Sequence, residues 1–262
     1  MDQPQNLMKK LCLTCMIPAL LVAGAAAQPA GKRILVYTRQ TVSPASSYIH
    51  DNTPASVEAL KKMGAGNGFA VDASEDPAVF SEVNLKRYNA IVFSSTHNEA
   101  FQTDAQREAF RKYIVSGGGF VGLHAATTTE REWLFFISTI GGRFVRHPKL
   151  QKFTVRVQDA THPSTRGLPG SFEWEDECYM HDLVNPNMHP LLVADPAMLD
   201  DPDRAKFPND LLGHALPLAW TITNNGQRVF YTALGHKKEH YSEPLLVKHI
   251  LGGVLWAMGD SK

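Results

Sequence analysis

Three short stretches carry residue types that can do chemistry. The first is Gly117-Gly118-Gly119-Phe120-Val121-Gly122-Leu123-His124, an apolar run that stops at a histidine and continues into small residues and hydroxyls. It reads as a buried strand turning sharply into the start of a helix, a junction where many enzymes expose a Ser or Cys nucleophile. The residue there is His124. Near a helix N-terminus its protonated form is disfavoured, and a neutral imidazole can accept a proton, donate a hydrogen bond or bind a metal. A buried histidine bonded to a backbone carbonyl would leave the same trace.

The second stretch is Phe172-Glu173-Trp174-Glu175-Asp176-Glu177-Cys178-Tyr179-Met180-His181. On an extended chain Glu175, Glu177 and Tyr179 face one way, and Asp176 and Cys178 the other. Carboxylates beside Tyr and Trp suit a sugar, whose hydroxyls donate to the acids while its apolar face stacks on the rings. A solvated acidic loop around one buried Trp is the plainer alternative. The third is Leu234-Gly235-His236-Lys237-Lys238-Glu239-His240. Here Lys237, Lys238 and His240 suit a charged surface turn, whereas His236 follows a glycine at a strand exit. Three more histidines, His147, His162 and His189, precede prolines, a step that favours extended backbone. Eleven histidines are enough for a metal site, but there is no HExxH and no His-x-His pair. Cys178 lacks an adjacent His or Lys and reads as a small lining or core residue.

The elements that must position these residues alternate. Arg33–Tyr37, Gly68–Asp72, Tyr88–Phe93 and Phe120–Leu123 are strand-like. Helical spacing marks 54–63, with Thr53 as N-cap, then 104–115 capped by Thr103-Asp104, and 131–140. This predicts one α/β domain with a mostly parallel sheet flanked by helices, which binds ligands beyond the carboxyl ends of its strands. His97 and His124 fall just past such ends. Later in the chain Phe153–Val157 alternates like a half-buried strand. Asn224-Asn225-Gly226 marks a hairpin, and a helix runs from Pro244 to about Met258. The stretch 190–217, rich in Pro and Asp, reads as an irregular insertion on the active-site side.

Lys9-Lys10, the apolar run from Leu11 to about Ala23 and Ala25-Ala26-Ala27 have the pattern of a secretory signal peptide, with cleavage after Ala27. A domain over 28–262, exported to a periplasm, is therefore expected, with no transmembrane segment left after cleavage. Cys12 and Cys15 would go with the leader, so no internal disulfide would hold the mature chain. Lys plus Arg and Asp plus Glu number 26 each, and no global field favours nucleic acid as a partner.

Taken in order, several segments resemble the ThuA-like (trehalose utilisation) family, whose fold is similar to the class I glutamine amidotransferases and flavodoxin-like proteins. They are Tyr48-Ile49-His50, Gln106 with Phe110, 117–126, Glu132-Trp133, Gly141-Gly142-Arg143-Phe144 with His147-Pro148, His162-Pro163, Asp176-Glu177-Cys178-Tyr179, 228–236 and Trp256-Ala257. The resemblance covers about Arg33 to Gly259. It implies that His124 replaces the amidotransferase cysteine and that His236 corresponds to its histidine. Thioester chemistry, and with it glutaminase activity, would then be lost. It further implies a small-molecule carbohydrate, with proton transfer or metal-assisted chemistry on a keto-glycoside. Under this reading His124, His236 and Glu177 are catalytic. His50, Trp133, His147, Asp176 and Tyr179 are substrate-binding. A divalent metal, if used, would take His124 and His236, and no nucleotide is expected. The competing class is a carbohydrate-binding protein on a catalytically emptied scaffold.

Overall fold

Runs of consecutive apolar residues build the centre of the molecule. In the computed structural model, which describes residues 31–43, 48–204 and 215–260 together with Met1, the strand β1 (Arg33–Tyr37) is followed by helix α1 (Thr53–Asn67) and strand β2 (Ala70–Ser74). Next come the short α2 (Glu82–Leu85), β3 (Ala90–Ser94), α3 (Asp104–Val115), β4 (Gly119–Leu123) and α4 (Leu134–Ile140). Strands β5 (Arg143–Arg146), β6 (Gln151–Val157), β7 (Ser171–Asp176), β8 (Met180–Asp182), β9 (His189–Ala194), β10 (Leu216–Asn224) and β11 (Gln227–Thr232) precede the closing helix α5 (Pro244–Ala257). The leader expected at 1–27 lies outside the described residues, which contain no helix long and apolar enough to cross a membrane.

The main sheet has the order β2-β1-β3-β4-β11-β10-β9-β6-β7. It is parallel from β2 through β11 and antiparallel from there on. The parallel part has the doubly wound order whose crevice opens where the strand order reverses. Every residue of β3 and β4 is buried, as strands covered on both faces require. Ile34, Val36, Val92 and Val121 turn to one face, against Leu60 and Met63 of α1 and Leu246, Ile250 and Val254 of α5. Leu35, Tyr37, Phe93 and Phe120 turn to the other, against Phe110 of α3 and Phe136 of α4. A Cβ on Gly119 would run into the carbonyl oxygens of Ala257 and Asn89, so β4 closes up to the end of α5 only with a glycine there.

Three expectations are revised. Asn52 rather than Thr53 stands at the N-cap of α1, and its side chain caps nothing because it is drawn to another loop. The helix expected from Arg131 starts at Leu134. Its approach is held by Glu130, whose carboxylate accepts from the Ala100 and Phe101 amides and from Arg107. The stretch 190–217 is not wholly an insertion. Its apolar residues Leu191, Leu192 and Val193 are buried in β9, between β10 and β6, and residues 205–214 lie outside the described part. The hairpin at Asn225-Gly226 forms with φ of 47° and 86°, the two positive values of a type I′ turn.

His249, on α5, is fully buried, with its ring against Phe230 and Nδ1 donating to the Ser164 carbonyl at 3.0 Å. Burial disfavours its cation and holds its pKa at about 4, below the ordinary 6.5. The unfolded chain then takes up a proton that the folded chain refuses. Stability from neutral His249 is therefore complete above pH 6.5 and drains as pH falls towards 4, at up to about 1.4 kcal/mol per unit. His162, beside Ser164 and also held at about 4 by burial, adds to the same window. In urea melts across this range, His249→Asn should flatten the slope by one proton. An unaltered slope would remove His249 from the account.

Candidate functional site: a histidine cluster beyond the parallel strands

β4 delivers His124 in a left-handed conformation, φ 50°, at the head of a 3-10 turn over His124–Thr128. Such a conformation costs a residue with a Cβ about 1–2 kcal/mol, so its surroundings must over-determine it. They do: the Tyr231 hydroxyl donates to the His124 carbonyl at 2.8 Å, and His124 Nδ1 donates to the Ala233 carbonyl at 2.8 Å. A carbonyl only accepts, so the ring proton sits on Nδ1 and Nε2 keeps a lone pair. That nitrogen lies 3.0 Å from the Tyr179 hydroxyl, 3.3 Å from His236 Nδ1 and 3.7 Å from Glu177 Oε2.

His236 arrives from the loop after β11. Gly235 permits the loop's turn, with φ 121° and no room for a Cβ beside the Tyr241 hydroxyl. The turn is pinned by Asp176, which is fully buried at the end of β7. Its carboxylate accepts from Gly235 N (2.8 Å), His236 N (3.3 Å), Glu177 N (2.9 Å) and the Trp174 indole (2.9 Å). From the other side Asn52 donates its amide to the Gly235 and His236 carbonyls at 2.8 and 3.1 Å. Glu177, with 13% of its side chain exposed, then meets His236 Nδ1 through Oε2 at 3.2 Å and His147 Nε2 through Oε1 at 3.4 Å. His147 in turn donates Nδ1 to the Pro148 carbonyl and stacks on Tyr179.

His50 follows β1 and closes the ring of imidazoles, with centroids 4.9 Å from His124 and 5.8 Å from His236. Gln40 holds it twice: its Oε1 accepts from the His50 amide at 2.6 Å and lies 3.3 Å from Nδ1. Tyr48, 52% exposed, stacks beside His236 at the mouth. One ligand-capable atom each from His50, His124, Glu177 and His236 lies within 4.8 Å of the others.

Burial and crowding disfavour the cations of His50 and His124. His50 is pushed down to about 2, first by burial and then by its neighbours His124 and His236. His124 is lowered chiefly by burial, against the pull of Asp176. The fold thus reaches by burial the neutrality expected from a helix terminus. In His236 burial is outweighed by the hydrogen bond to Glu177 together with the charges of Glu177, Asp176 and Asp51, and its pKa is raised. Glu177 is lowered, because that bond and the neighbouring rings overcome its burial.

Of the residues expected at the site, His124, His236, Glu177, His50, His147 and Tyr179 converge. Two do not belong in the roles expected of them. Asp176 was expected to grip substrate, but its oxygens are filled by the chain's own N–H groups, and it positions the site instead. Trp133 was expected to bind sugar, but its ring packs on Phe101, Phe110, Phe135 and Phe136 in the aromatic core, because Phe110 of α3 and Phe136 of α4 meet there. Cys178 is fully buried, and burial raises its thiol pKa far above the ordinary value, so it is a core residue. His97, past the end of β3, is also buried, with Nδ1 2.6 Å from the Thr128 hydroxyl. Gln40 and Asn52 escaped the sequence reading; both are amides whose partners lie in other segments.

The positioning role of Asp176 has a measurable sign. In Asp176→Asn an NH2 replaces an acceptor facing N–H donors, so urea melts should show a loss of about 3 kcal/mol. Glu177→Gln, at the solvent-reached edge, should lose less than about 1 kcal/mol. Equal losses would contradict the division between a buried anchor and a working carboxylate.

The family model described as "Trehalose utilisation" (ThuA) matches residues 33–257. A ThuA-like protein from Bacteroides uniformis is 25% identical, with a TM-score of 0.66 over 90% of this chain and 94% of that one. A ThuA-like protein from Parabacteroides merdae is 21% identical, with a TM-score of 0.63 over 88% and 91%. A cytoplasmic protein from Salmonella typhimurium shares the fold at 12% identity and a TM-score of 0.59, over 85% of this chain and 98% of that one. No curated protein matches. With its sheet, its helices and nearly all of its described length accounted for by one family model, the chain belongs to the ThuA, or trehalose utilisation, family.

Proposed function

We propose that the chain is an exported sugar-processing enzyme acting on a glycoside, best on one oxidised to a ketone, and that it has no glutaminase activity. The observation that carries this reading is the convergence of His124 Nε2, His236 Nδ1 and Glu177 Oε2 within 3.2–3.7 Å at the open end of the parallel strands. The family's link to trehalose utilisation supports a carbohydrate. Tyr48, exposed beside His236, offers the aromatic face on which a pyranose stacks. Lys9-Lys10, the apolar run after them and Ala25-Ala26-Ala27 support export.

A ketone acidifies the C–H beside it. Removing that proton leaves the electron pair in an enolate; the pair can then form a C=C bond while the glycosidic C–O bond breaks. The departing oxygen takes up a proton. This needs an acceptor for the C–H proton and a donor for the leaving group. The lone pair of His124 Nε2 or the Glu177 carboxylate can take the first proton, and the Tyr179 hydroxyl, 3.0 Å from His124 Nε2, can give the second. Acyl transfer through a thioester is disfavoured, because the elbow carries an imidazole and Cys178 is sealed.

The mature chain should turn over a 3-keto-disaccharide and release no ammonia from glutamine. His124→Asn, which keeps an amide for the Ala233 carbonyl, and His236→Ala should each lower kcat/KM by about 100-fold or more. Turnover that survives His124→Asn unchanged would remove the cluster from the chemistry. Sugar binding without turnover by the wild type would make this a binding protein.

A further inference from the structure

We propose that His50, His124, His236 and Glu177 form a mononuclear site for a divalent first-row transition metal of the zinc type. A tetrahedral centre with bonds of about 2.1 Å places its ligand atoms about 3.4 Å apart. His124 Nε2 to His236 Nδ1 is 3.3 Å, His236 Nδ1 to Glu177 Oε2 is 3.2 Å, and His124 Nε2 to Glu177 Oε2 is 3.7 Å. Three edges of that tetrahedron are therefore in place before any ion enters. His50 is the fourth corner, its ligand atom within 4.8 Å of the rest.

The protons are arranged for the same purpose. Ligating histidines characteristically donate their other ring N–H to a fixed acceptor, which sets the tautomer. His124 gives Nδ1–H to the Ala233 carbonyl, and His50 Nδ1 faces Gln40 Oε1. Each keeps Nε2 as a lone pair. Hydrogen bonding alone leaves this arrangement short of protons. His124 Nε2 and Glu177 Oε2 must share a single proton from His236 Nδ1, besides the Tyr179 hydroxyl. One cation satisfies all of these lone pairs together. Glu177 itself follows Asp176, whose carboxylate accepts from the Glu177 amide at 2.9 Å and so fixes the backbone that carries the ligating carboxylate.

Three imidazoles and one carboxylate select zinc, cobalt, nickel or iron over calcium and magnesium, which take oxygen. Ligands drawn from residues 50, 124, 177 and 236 leave no short motif, which is why spacing does not reveal the site. Within the sugar-processing reading, on which this step rests, the ion would polarise the ketone oxygen if the site expanded to admit it as a fifth ligand. The site itself stands on ligand geometry alone.

The test uses the mature, untagged chain. Purified without chelator, it should carry one divalent transition ion per chain by elemental mass spectrometry. After chelator treatment it should bind one equivalent of Co2+, with the visible d–d bands of a four-coordinate nitrogen and oxygen site. His50→Ala and His236→Ala should abolish those bands with far-UV circular dichroism unchanged. Gln40→Ala, which touches no ligand atom but frees the His50 ring, should weaken Co2+ binding by about 10–100-fold. If one variant fails to fold, the other two carry the comparison. Absence of stoichiometric binding, or binding that all three variants retain, would overturn the site. Because no sugar is present, the two readings fail separately. A metal-free chain that turns over a keto-glycoside sinks the ion alone, and a loaded chain inert to every sugar sinks the enzyme alone.

Discussion

The site depends on one buried carboxylate. Asp176 has no exposure, and burial alone would drive its proton back on. The hydrogen bond to His240, the nearby rings of His124 and His240 and the Gly235 amide keep its pKa low instead. By accepting from the amides of Gly235, His236 and Glu177, it joins the end of β7 to the loop after β11. Neither segment is otherwise regular at that point. His236 and Glu177 face each other because both hang from the same anion.

Around that anchor the two parts of the sheet divide the labour. The parallel half of the sheet delivers three imidazoles: His124 directly after β4, His236 from the loop after β11, and His50 from the segment that leads into α1, all on the side where such a sheet binds ligands. The antiparallel extension delivers Glu177 and Tyr179 from the segment after β7. The imidazoles thus belong to the parallel half, whereas the carboxylate and the phenol come from a more peripheral layer. Tyr231 links the two through the core: its hydroxyl holds the strained backbone at His124, and its ring packs on Trp220 of β10.

Much of the fold was legible because the signals were local. Apolar runs marked β1, β3 and β4, the Thr103 capping box marked α3, and Asn225-Gly226 marked the hairpin. β9 was obscured because Pro190 and the following Asp- and Pro-rich residues suggest a loop, whereas four consecutive buried side chains, Leu191 to Ala194, make it an interior strand. At the site, His124 and His236 were legible from their places at strand exits. The role of Asp176 was not. An acid among Glu173, Glu175 and Glu177 looks solvated until the chain folds and its amide donors, two of them nearly sixty residues away, close around it. Trp133 misled for the converse reason: a Trp near a conspicuous motif suggests a ligand contact, and only the packing of α3 against α4 claims it for the core.

The arrangement of His50, His124, Glu177 and His236 along the chain also governs when the site can exist. Its members come from the segment before α1, the end of β4, the end of β7 and the loop after β11. Such separations make loop closure the slow part of assembly. A nascent chain emerging N-terminus first has nothing to bring the imidazoles together until β11 slots between β4 and β10. A chain that ends before residue 236 lacks one of the four side chains, so the cluster cannot form until β11 and the loop after it have been made. The completed centre is in that sense a certificate that the whole sheet has closed.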